Sequence, residues 1–116
     1  EGRVLRTFSG SAATTSRGID IGARLGDPVY AAADGDVVYS GRGIQGQGDL
    51  IIIRHSARHL SAYSHNSSML VSEGARIRAG DKIAEVGTDG RGSELLHFEV
   101  RVDGAPVDPA RYLPSR

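Results

Sequence analysis

The sequence has no cysteine, no tryptophan, one methionine, one lysine (Lys82) and only 5% aromatic residues in 116 positions. The missing cysteines exclude disulfides and thiolate metal sites. They leave the compartment open, since many secreted domains also lack them. No apolar run approaches the roughly 20 residues of a membrane-spanning helix, and no signal peptide is visible. A surplus of charge is missing too. Fourteen basic residues balance 14 acidic ones for a formal net charge of +0, so nothing global draws the chain to nucleic acid or an anionic membrane. Apart from Lys82 the basic residues are all arginine. That bias suits bidentate contacts with carboxylates and follows equally from a GC-rich genome. No segment carries a sustained helical stripe of apolar residues.

What is abundant is glycine, with 16 residues that punctuate short β-rich runs. The alternation and β-branched content predict strands at Arg3–Phe8, Gly18–Ile21, Pro28–Ala32, Asp36–Tyr39, Leu50–His55, Leu60–Tyr63, Lys82–Val86, Leu96–Val102 and Ala105–Val107. Turn signals separate them at Asp34-Gly35, Gly41 to Gly48, Asp89-Gly90 and Asp103-Gly104, the last a strong hairpin signal. An all-β sandwich or barrel-like domain follows, and the length suffices for one core and not two. Two segments resemble each other, Leu25-Gly26-Asp27-Pro28-Val29-Tyr30 and Arg78-Ala79-Gly80-Asp81-Lys82-Ile83. Each carries a Gly-Asp turn into a strand, which predicts two related hairpins. The small, polar run Ser9 to Arg17 is expected to be a loop bordering any cleft that Asp20 lines.

The run Gly18-Ile19-Asp20-Ile21, then Gly26-Asp27-Pro28-Val29-Tyr30 through Gly35-Asp36-Val37-Val38, resembles the LytM-type (lysostaphin-like) peptidoglycan metallopeptidases. So do Ala62-Tyr63-Ser64-His65, Gly80-Asp81-Lys82-Ile83-Ala84, Leu96-His97-Phe98-Glu99-Val100-Arg101 and Val107-Asp108-Pro109, in order and over nearly the whole chain. The resemblance implies one LytM-type domain over residues 1–116, all-β, with an antiparallel sheet of the duplicated-hybrid-motif type and little helix. Gly48 to His55, Leu60 to Asn66 and Arg111-Tyr112-Leu113-Pro114 resemble best the branch of division-associated activators of periplasmic amidases. That branch implies a periplasmic C-terminal piece of a longer outer-membrane lipoprotein, with a peptidoglycan-binding module and lipid anchor outside this chain.

In the peptidases of this family, positions 16, 20 and 97 would supply three zinc ligands and leave an open position for the attacking water. Histidines at 65 and 95 would orient that water and steady the oxyanion. This chain keeps Asp20, His65 and His97 but has Ser16 and Leu95. A hydroxyl is a poor zinc ligand, two ligands do not make a stable tetrahedral site, and leucine can neither take a proton nor donate one. Losing one such group typically costs on the order of 100–1,000-fold in rate. No metal, cofactor or catalytic residue is therefore expected. The remnant cleft, formed by Ser16, Arg17, Asp20, Tyr63, His65, Arg91, Leu95 and His97, is expected to bind a partner. His97 is expected either as a core histidine bonded to Asp20 or as a cleft contact. Tyr63 fits either the core or an interface centre, and His55 and His59 are expected to be structural or solvent-exposed.

Four functions are open on these residues. The first is an inactive domain that binds and activates a zinc-dependent N-acetylmuramoyl-L-alanine amidase, so that the zinc chemistry belongs to the partner. The second is a residual zinc endopeptidase, against which Ser16 and Leu95 argue. The third is a peptidoglycan-binding module. The fourth is a lipoyl-type carrier, disfavoured because Lys82 follows a Gly-Asp turn at a strand start and not at a hairpin tip.

Overall fold

The computed structural model describes residues 3–6, 18–42 and 48–108. Ten strands run β1 (Arg3–Arg6), β2 (Ile19–Gly22), β3 (Pro28–Tyr30), β4 (Gly35–Gly41), β5 (Asp49–Arg54), β6 (His59–Met69), β7 (Arg76–Ile77), β8 (Lys82–Thr88), β9 (Glu94–Val102) and β10 (Ala105–Val107). They form one sheet in the order β1-β2-β9-β8-β6-β5-β4-β7, with β10 on β9 and β3 on β8. The described pairings are antiparallel, and no helix occurs among the described residues. Because β9 pairs with β6 as well as with β2 and β8, the sheet curls on itself.

The core lies on one face of this curl, where Val37, Ile51, Ile53, Tyr63, Ile83, Phe98 and Val100 pack together. Tyr63 and Phe98 stand opposite each other in register with ring centroids 5.4 Å apart, and such pairs add stabilisation beyond their buried area. β5 lies between β4 and β6 and is buried along most of its length, which is why its sequence is apolar at consecutive positions.

The duplicated segment is visible in three dimensions. Gly26 and Gly80 both take a positive φ, 90° and 84°, as these turns require. Asp27 Oδ2 accepts the Arg24 N–H at 3.0 Å, and Asp81 Oδ2 accepts the Arg78 N–H at 2.9 Å. The strands leaving the two turns, β3 and β8, then pair with each other. The Asp103-Gly104 turn joins β9 to β10 with both residues at positive φ, 53° and 83°, the geometry that Asp-Gly favours in two-residue hairpins.

Two expectations change. β6 extends from His59 to Met69, well past Tyr63. The polar run Ser64 to Ser68 stays in the sheet because the strand bends at His65 and changes neighbour, from β9 to β8. β7 is additional, a two-residue strand held on β4 by Gly35 and Asp36. Phe8, at the end of the first expected strand, lies outside the described residues.

Candidate binding cleft

Alternation along β9 sorts its side chains. Leu96, Phe98 and Val100 join the core, so Leu95, His97, Glu99 and Arg101 share the opposite face. β2 pairs with β9 so that Asp20 stands opposite His97. The pairing brings Asp20 Oδ1 to 2.6 Å from His97 Nδ1. The other ring nitrogen, Nε2, lies 2.9 Å from Glu99 Oε2. Glu99 Oε1 in turn accepts from Arg101 Nη2 at 3.1 Å and Nε at 3.3 Å. Four charged side chains from two strands thus form one continuous network.

Carboxylate oxygens accept and do not donate, so both nitrogens of His97 must carry protons for both contacts to hold. Burial by itself would push the His97 pKa down. The hydrogen bonds and charges of Glu99 and Asp20 outweigh it and hold His97 above the ordinary imidazole value. Burial likewise raises Glu99, and the His97 and Arg101 contacts more than reverse that, so it lies below the usual carboxylate range. His65 goes the opposite way. Burial and then the charge of His97 hold it below the ordinary imidazole value, against smaller opposing effects of Asp89 and Asp20. Its ring centroid is 6.5 Å from that of His97.

Among the described residues the donors around His97 do not make a tetrahedral zinc site. Asp20 and His97 Nδ1 converge, but Glu99 sits on the far side of the imidazole and cannot reach the same point. Position 95 offers only hydrocarbon, and no group of three potential ligands converges among the described residues. Ser16 and Arg17 lie outside the described residues.

The other expected cleft residues divide. Asp20, His65 and His97 come together. Leu95 lies in line with His97 and is buried at 4% exposure, so it supplies no open apolar floor. Arg91 is 73% exposed, at the tip of a loop organised by Asp89, whose Oδ1 accepts the Arg91 and Ser93 N–H groups at 2.9 Å each. Tyr63 is a correction. It is 1% exposed and faces the core, because it occupies the same sheet face as Phe98, and its Oη accepts the Ala32 N–H at 3.0 Å. Glu99 was not foreseen as a site residue. The signal for it was His97-x-Glu99-x-Arg101, a period-two charged row inside an apolar strand.

This curled sheet, with Asp and His paired across its second and ninth strands, is the architecture of a LytM-type β-domain. The model of peptidase family M23 matches residues 14–109, and the chain belongs to that family. It is 49% identical over 116 residues to the murein hydrolase activator NlpD of Escherichia coli K12, covering all of this chain and 30% of that protein. It is also 49% identical over 115 residues to the lipoprotein NlpD/LppB homolog of Pseudomonas aeruginosa, covering 99% of this chain and 38% of that one. The chain thus spans about a third of the length of these relatives. Among solved structures, the antimicrobial peptidase lysostaphin from Staphylococcus simulans superposes with a TM-score of 0.87 at 25% identity, covering 97% of this chain and 50% of that one.

Proposed function

We propose that this domain binds and activates a periplasmic N-acetylmuramoyl-L-alanine amidase during septal peptidoglycan splitting, and that it hydrolyses nothing itself. The observation that carries this reading is the Asp20–His97–Glu99–Arg101 network. Two positions that hold zinc in a peptidase of this family are here tied to each other, and the imidazole is clamped on its second side by a carboxylate. Leu95 and Ser16 stand where a base and a ligand would be needed. Similarity to a named murein hydrolase activator supports the activating role, and the lipoprotein name of a second relative supports attachment to a membrane through a lipid anchor.

Activation requires the domain to bind the active state of the amidase more tightly than its inhibited state. The remnant cleft is the proposed contact, with Arg91 on its rim. Biolayer interferometry between the domain and the purified amidase tests this. Saturable binding that Arg91→Glu weakens supports the reading. Retention of the domain on purified sacculi with no affinity for the amidase replaces it with a peptidoglycan-binding module.

A further inference from the structure

Asp20, Glu99 and Arg101 are already engaged inside the chain, and both nitrogens of His97 face carboxylates. His65 differs. It is half-buried beside His97, and neither of its ring nitrogens has a hydrogen-bond partner among the described residues. Its φ is +67°, a left-handed conformation that is unfavourable for a residue bearing a Cβ.

The surroundings enforce that conformation without using the imidazole. Asn66 Nδ2 donates to the Tyr63 carbonyl at 2.8 Å and to the Asp49 carbonyl at 2.9 Å, fastening the backbone on both sides of the bend. Gly87 presses against it so closely that a Cβ there would lie 2.5 Å from the His65 carbonyl oxygen and 2.7 Å from Ser67 N. Gly48, itself at φ +62°, places its open side against His65, where a Cβ would lie 3.4 Å from both Cα and Nδ1. Strand register slips on both sides, between Asp49 and Ile51 against β5 and between Asn66 and Ser68 against β8. Strain of this kind persists only where the fold over-determines it, and it concentrates at binding and switch sites. Here the enforced imidazole makes no hydrogen bond among the described residues.

We propose that His65 is the hydrogen-bonding anchor of the cleft, and that the group it takes is an amide on a polypeptide segment of the partner amidase. An amide matches an imidazole ring, since it offers both an N–H donor and a carbonyl acceptor to the ring nitrogen that faces it. Among the described residues the neighbouring network sets two acids, Asp20 and Glu99, against His97 and Arg101, so that network itself offers no surplus charge to an incoming carboxylate or ammonium. The inference rests on the amidase-binding reading and refines it.

The test is binding of the purified amidase to the wild-type domain and to His65→Ala, His65→Gln, His65→Gly and Arg91→Glu, with a thermal melt of each. His65→Ala should weaken binding about ten-fold or more, the effect of losing one desolvated hydrogen bond. His65→Gln, which keeps a donor and an acceptor, should bind within about three-fold of wild type. His65→Gly should bind as poorly as His65→Ala yet melt roughly 3–6 °C above wild type, because glycine accepts the left-handed backbone and no hydrogen bond of the imidazole among the described residues is lost. A purely structural histidine gives the opposite sign, and a lower melting temperature for His65→Gly overturns the inference. If His65→Ala binds like wild type while Arg91→Glu is weakened, the cleft reading stands and this inference falls. If wild type does not bind, both fall. If His65→Ala loses retention on sacculi and keeps the amidase, the anchor serves the cell wall and the proposal is wrong.

Discussion

Glu99→Gln is the substitution that most directly probes the cleft network. Glu99 is 7% exposed and receives three hydrogen bonds, one from His97 and two from Arg101. Removing one partner of a buried ion pair costs about 3–5 kcal/mol when the remaining charge is stranded. His97 keeps Asp20 at 2.6 Å, and Arg101, about one-third exposed, keeps access to water. Glutamine also retains one acceptor. The expected loss is therefore lower, about 2–3 kcal/mol, or roughly 6–15 °C in Tm for a domain of this size.

The pH dependence carries a sign. His97 binds its proton more tightly folded than unfolded, so its contribution is complete below the unfolded imidazole value and is lost as pH rises through the folded one. Glu99 is depressed on folding, so its contribution is present above the unfolded carboxylate value and is lost as pH falls through the folded one. The wild-type network should be strongest between the ordinary carboxylate and imidazole values. Thermal melts from about pH 5.5 to 8.5 should show wild type losing stability toward the alkaline end, and Glu99→Gln should lose much of that slope. An unchanged Tm, or a wild-type slope in the variant, refutes the network as drawn.

Other outcomes follow from the same geometry. Arg91→Glu, at an exposed loop tip, should leave the melt within about 3 °C and reduce stimulation of the amidase in a dye-release assay; undiminished stimulation removes Arg91 from the interface. Ser16→His combined with Leu95→His should bring about one equivalent of zinc into the domain by metal analysis, before any hydrolysis appears; no uptake means the ligand positions are misassigned. Tyr63→Phe deletes the hydroxyl that accepts the Ala32 N–H and lies 2.8 Å from Ser61 Oγ. It should cost about 1–3 kcal/mol in urea denaturation and leave amidase affinity unchanged, because Tyr63 faces the core.

Local signals in the sequence carried much of the fold. The paired Gly-Asp turns and the Asp103-Gly104 hairpin depend on backbone conformations that few residues tolerate, so their positions could be read directly. Ser64 to Ser68 misled because polar residues at a bend look like a loop. Only the non-local pairing with β8 keeps them in a strand. Asp20 and His97 were legible as a pair through the family resemblance. Tyr63 and Glu99 were decided by which face of the sheet each occupies, and that depends on register set by partners far along the chain. His65 was legible as a cleft residue but not as a strained one, since nothing in Ser64-His65-Asn66 announces a positive φ.

The central claim is that the cleft has exchanged metal chemistry for partner binding. It is tested most directly by dye release from labelled sacculi with the domain alone, the purified amidase alone and the two together, alongside zinc analysis of the domain. The account predicts no release by the domain alone, less than stoichiometric zinc in it, and release by the amidase that rises when the domain is added. Release by the domain without the amidase, accompanied by one equivalent of bound zinc, would contradict it and identify a working endopeptidase.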